Sequence, residues 1–145
     1  MVTSKKQAGS SFRFVIRPLR TKNIASREIA ICLEDEISLS LGELSLVSPI
    51  SGILIMPALM DEAIAPIPPD YVGYQSSDNS VTVGTKIDFA LWERSSVLER
   101  LAIMTNNVLD SIDKIPGKYL LDQDREKLRV VVDEVQSRLV LRFTE

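Results

Sequence analysis

Ile37-Ser38-Leu39-Ser40-Leu41-Gly42-Glu43-Leu44-Ser45-Leu46-Val47 is the stretch whose reading decides the fold class. Ile37, Leu39 and Leu41 alternate with serines, and Leu44 and Leu46 flank Ser45, which is the two-residue period of a strand with one buried face. Gly42-Glu43 suits a two-residue hairpin turn with Gly at its first position. A continuous strand bulged at Gly42 is the alternative. Upstream, residues 26–33 place Ile29, Ile31 and Leu33 on one face, and residues 11–17 alternate Phe12, Phe14 and Ile16 with Arg13, Val15 and Arg17. Thr21-Lys22-Asn23 supplies a loop between those two strands, and Pro18 ends the first or puts it at an edge.

Downstream the pattern loosens. Residues 52–56 read as a buried strand and residues 58–64 as a short helix. Pro66, Pro68 and Pro69 then impose an extended loop that carries Asp70, Tyr71 and Tyr74. Residues 76–80 form a polar turn, and strand character returns over residues 81–92. The last third is helical. Ser96-Val97-Leu98-Glu99 fits a capping box, Leu98, Leu101, Val108 and Ile112 keep helical spacing, and Pro116-Gly117 ends the helix. Asp122 or Asp124 opens a second helix with an apolar stripe of Leu128, Val131, Val132, Val135 and Leu139. The expected fold is α+β: an antiparallel sheet from the N-terminal two thirds, with two amphipathic C-terminal helices packed on one face. Residues 1–10 are expected to form a flexible tail and 11–145 a single domain, since 145 residues is the usual size of one.

Composition narrows the chemistry. The chain has no histidine, so Ser–His–Asp, Cys–His and histidine–zinc sites are excluded. Cys32 is the only cysteine; it forms no internal disulfide and reads as a small buried hydrophobe. Walker-type and GxGxxG phosphate loops are absent, and neither a cofactor nor a metal is expected. The longest uncharged run, residues 44–60, is broken by Pro49, Gly52 and Pro57 and falls short of the roughly 20 apolar residues of a spanning helix. The polar N-terminus lacks the apolar stretch of a secretory signal, so a cytoplasmic protein is expected.

Charge is the most informative feature. Residues 1–22 carry six bases and no acid, whereas residues 23–91 carry ten acids against Arg27 and Lys86. Residues 92–145 are close to neutral. An acidic middle raises the on-rate for a basic partner and helps to select it. The side chains expected to form that surface are Glu34, Asp35, Glu36, Asp61, Glu62, Asp70, Tyr71 and Tyr74. The basic N-terminal stretch reads as the solvent face of a strand, so nucleic acid is not the expected partner. A carboxylate hydrolase would need two of Asp61, Glu62, Asp70, Asp78 and Asp88 to converge in a deep pocket.

Asp88-Phe89-Ala90-Leu91-Trp92, the helix over residues 94–113 with Glu99-Arg100-Leu101, the turn Ile115-Pro116, and Asp122–Arg125 at the start of the last helix resemble immunity proteins of bacterial polymorphic-toxin and contact-dependent inhibition systems. The likeness covers roughly the last 60 residues. It implies a small, non-catalytic cytoplasmic α+β protein that binds and blocks a cognate toxin domain. Trp92 itself reads as a core anchor. The competing expectation is an acidic adaptor or secretion chaperone that holds an extended partner segment along an edge or groove.

Overall fold

Leu33, Ile37 and Leu41 stand four residues apart, a spacing that satisfies a strand's alternation and a helix's 3.6-residue turn equally well. In the computed structural model, which describes residues 12–18, 24–59 and 70–144 (side chains from Arg27 onward in the first helix), the helix wins. Strand β1 (Arg13–Ile16) is followed by helix α1 (Ile24–Leu41), so both N-terminal hairpins expected from the alternation are replaced by one 18-residue helix. Ile29, Ala30, Leu33, Ile37 and Leu41 are buried along one side of it. Ile31 and Leu39, which a strand would have buried beside their alternating neighbours, are 52% and 71% exposed. Gly42 is no hairpin turn: its amide bonds back to the Ser38 carbonyl, and that of Glu43 to Ser40, closing the helix C-terminus.

The reason lies in the strand directions. Strand β2 (Gly52–Leu59) pairs in parallel with β1, Phe14 opposite Ile53 and Ile16 opposite Ile55. Parallel neighbours cannot be joined by a tight turn and need a crossover of a dozen or more residues, usually a helix. The expected antiparallel sheet is therefore a mixed one. Its four strands run in the order β1-β2-β4-β3, with β2 parallel to β4 (Ser80–Ile87) and only β3 (Tyr71–Gln75) antiparallel to its neighbour. Tyr71 and Tyr74, expected on a loop, lie in edge strand β3. Residues 58 and 59, expected to begin a helix, finish β2. The strand expected to reach Trp92 stops at Ile87, where the Asp88 carboxylate caps the short helix α2 (Phe89–Glu93) through the amides of Ala90 and Leu91. The expected tail at 1–10 lies outside the described residues.

One sheet face is covered by helices. Phe14, Ile16, Ile53, Ile55, Val81 and Val83 share it through the strand register and are all buried. Helix α3 (Val97–Lys114) lies on β4 and β2, and begins with the expected capping box between Ser96 and Glu99. The side-chain oxygen of Asn107, in its middle, accepts from the Thr85 hydroxyl at 2.7 Å, a hydrogen bond at the helix–sheet contact. Helix α4 (Asp122–Thr144) does not join it on the strands but packs on α1 and α3. Trp92 is fully buried; Arg100 stands over its ring at 5.5 Å and donates to its carbonyl at 2.8 Å.

The first turn of α4 holds the helices and loops together. The fully buried Asp124 accepts from the amides of Val47 and Ser48 at 2.9 and 2.6 Å, and from the Ser48 hydroxyl, which itself accepts from the Leu121 amide at 2.8 Å. Its neighbour Arg125 donates to the carbonyls of Ile112, Ile115 and Leu120, satisfying the open C-terminus of α3. Asp124→Ala removes the carboxylate and leaves the amides of Val47 and Ser48 and the Ser48 hydroxyl without their acceptor. The expected loss in unfolding free energy is about 2–3 kcal/mol, read by urea denaturation followed by circular dichroism.

Candidate partner-binding surface

Helix α1 carries three of the expected contact residues, Glu34, Asp35 and Glu36, and turns each to a different side. Successive residues on a helix lie about 100° apart, so three in a row cannot share a face. Glu34 reaches the free edge of β1 and accepts from the Ile16 amide at 2.8 Å, while the Ser38 hydroxyl stands 3.5 Å from the Phe14 carbonyl. Phe14 and Ile16 are the β1 residues whose backbone groups point away from β2. The helix thus covers an edge that would otherwise template pairing with another chain.

Glu36 faces α4, where Arg142 and Arg138 donate to its two carboxylate oxygens at 3.0 and 3.3 Å. The hydrogen bond from Arg142, followed by that from Arg138, holds its carboxyl below the usual range despite partial desolvation. Asp35 projects into solvent and makes no ion pair with a described residue. Beside it Cys32 is partly exposed, and desolvation, reinforced by the charges of Asp35, Glu28 and Glu36, pushes its thiol up against the pull of Arg142. It is not an activated nucleophile.

Tyr71 and Tyr74 lie on β3 and Asp70 immediately before it, at the opposite edge of the sheet from β1 and roughly 14 Å away across three strand spacings. Asp70 is exposed and pairs with Lys114 at 3.0 Å. It lines a 570 Å³ cleft with Thr85, Lys86, Asn107, Asp110, Asp113 and Lys114. The Tyr71 ring folds over Gly73, whose missing side chain leaves the room it occupies. Tyr74 stacks on Tyr119 with ring centroids 5.0 Å apart, and its hydroxyl donates to Asn79, the left-handed residue (φ 56°) of the β3–β4 turn. Asp61 and Glu62 lie outside the described residues.

The six described members of the expected surface are therefore divided between α1 and the β3 edge, and two of them, Glu34 and Glu36, also have partners within the fold. What the sequence reading missed is the exposure of Ile31 and Leu39 on α1 and the gathering of Asp110 and Asp113 beside Asp70. Helical spacing over residues 28–43 is the signal that would have exposed the first.

Of the five carboxylates named for a hydrolase, the three described ones, Asp70, Asp78 and Asp88, are dispersed. Asp78 sits in the β3–β4 turn, at the far end of β3 from Asp70, and accepts from the Ser80 hydroxyl at 2.7 Å; Asp88 is spent capping α2. Among the described residues no group of His, Cys, Asp and Glu could hold a metal ion, and no helix is long and apolar enough to cross a membrane.

A family model described as immunity protein 44 matches residues 13–137, from the first residue of β1 to the sixteenth of α4. The chain belongs to the immunity protein 44 family. No curated protein and no solved structure matches it. The family match takes in the whole sheet and α1 as well as the C-terminal helices that carried the sequence resemblance. An immunity protein has a protein partner, the toxin, and the question becomes which of the surfaces above meets it.

Glu36 supplies a check on the α1–α4 contact. Its lowered pKa adds stability above the ordinary carboxylate range, and that stability is lost as pH falls through the lowered folded-state value. Glu36→Gln is expected to cost about 0.5–1 kcal/mol at neutral pH, the scale of a partly exposed ion pair. The difference from the unaltered protein should vanish in acid, which paired urea titrations at the two pH values will show.

Proposed function

We propose that this chain neutralises a cognate bacterial toxin by binding it and occluding its active or substrate-binding surface, with no catalysis of its own. The observation that carries this reading is the immunity-family match across residues 13–137. The charge of the chain supports an electrostatic component. Ten acids against two bases over residues 23–91 favour a basic toxin domain, of the kind that handles an anionic substrate, and speed its capture. Such an inhibitor acts where the toxin would act, in the cytoplasm.

The alternative, a chaperone that adds a partner's extended segment to an open strand edge, is disfavoured at β1, where Glu34 and Ser38 already occupy the edge.

The test is co-expression with a candidate toxin domain that arrests growth on its own, followed by purification of the pair. Growth should be restored and a stoichiometric complex recovered, with affinity falling as salt rises. Persistent growth arrest, or recovery of the chain with many unrelated proteins, would overturn the reading.

A further inference from the structure

Three sides of α1 have structural work: Leu33, Ile37 and Leu41 enter the core, Glu34 holds the β1 edge, and Glu36 meets the α4 arginines. The remaining side carries Glu28, Ile31, Asp35 and Leu39, separated by three or four residues and so aligned along about 17 Å of helix, and Glu43 follows in the turn just past its C-terminus. All five are exposed, and Leu39, at 71%, exceeds every other large hydrophobic among the described residues. None of the three carboxylates forms an ion pair with a described residue. The stripe is flanked by two hollows. One, of 390 Å³, is apolar and lined by Ile29, Ile31, Cys32, Val97 and Phe143 with Glu28 at its rim; the other, of 440 Å³, lies beside Asp35, Ser38 and Leu39.

We propose that this acidic and apolar stripe of α1 is the surface that seats in the toxin, entering a groove whose rim carries Lys or Arg and whose floor is apolar. The proposal rests on the toxin-neutralising reading and names the surface that performs it. Charge complementarity selects the partner: the stripe carries three acids, and the exposed Arg27 beside Glu28 is the one base next to it on the helix. Isolated exposed leucines are ordinary on a protein surface; two apolar side chains in register with three unpaired carboxylates and an apolar hollow are the anatomy of an interface, an apolar centre within a charged rim. An apolar side chain of the toxin would fill the hollow beside Ile31.

Other faces fit less well. Helix α4 also exposes Val130 and Leu141, but Arg129 and Arg138 stand beside its acids, so its charge is mixed. The cleft at Asp70, Asp110 and Asp113 is neutralised by Lys114 and Arg129, which pair with two of its three carboxylates. The sheet face turned away from the described helices exposes Arg13 and Arg17, whose charge does not suit a basic rim.

The experiment is isothermal titration of the purified full chain with the purified toxin domain of the co-expression test. Asp35→Lys and Leu39→Asp alter exposed side chains and should keep the unaltered circular dichroism spectrum and Tm. Each is expected to weaken binding at least about tenfold, and Asp35→Lys alone should flatten the salt dependence. Asp133→Lys and Leu141→Asp on α4, and Asp110→Lys at the cleft, should stay close to the unaltered affinity. If the α1 variants bind unchanged while an α4 or cleft variant weakens, the stripe is not the interface and the neutralising function stands. If the unaltered chain itself fails to bind the toxin domain, both readings fall.

Discussion

Parallel pairing between β1 and β2 is the constraint on which the rest of this structure depends. Two parallel neighbours must be joined by a long crossover, and the chain has one apolar segment of the right length and position to supply it. Once residues 24–41 are a helix, their four-residue apolar spacing falls on one side and buries Leu33, Ile37 and Leu41. The same helix closes the outer edge of β1 with Glu34. The expected pair of N-terminal hairpins fails at this point, because hairpins would have made those neighbours antiparallel.

The second organising contact is the Asp124–Arg125 dipeptide at the start of α4. One side chain draws in the amides of the loop before β2, and the other fills the carbonyl end of α3. Both hydrogen-bond sets are charge-assisted and partly or wholly sequestered from water, where such bonds are strongest. They fix the start of α4 against the loop before β2 and the end of α3. The resemblance noted at residues 122–125 thus rests on side chains whose work in this chain is architectural, as does the buried Trp92.

Function enters through what the fold leaves unused. A helix has about four sides, and the crossover, the covered strand edge and the salt bridges to α4 consume three of them. The fourth keeps Glu28 and Asp35, which form no ion pair with a described residue, and the exposed Ile31 and Leu39. That is the side proposed above to meet the toxin. The acidic stretch read from composition thus separates into carboxylates that hold the molecule together and carboxylates that are free to meet something else.

Local signals determined the C-terminal half: the capping box at Ser96, the stop at Pro116-Gly117, the apolar stripe of α4 and the polar turn before β4 depend on neighbours within a few residues, and all were legible. The absence of histidine and the acidic middle were likewise fixed by composition alone. Strand direction was not legible, because it is set by pairing between residues far apart in the chain, Phe14 with Ile53 and Ile55 with Val83 after it. Residues 29–41 were ambiguous for a physical reason, since an apolar residue every four positions fits both periods and only the need for a crossover chooses between them. That choice also decided which side chains face solvent. A strand would have placed Leu39 with Leu41 in the core and left Glu34, Asp35 and Glu36 as a loop-end cluster. The helix spreads those three around its circumference, and tertiary packing leaves Asp35 and Leu39 exposed together.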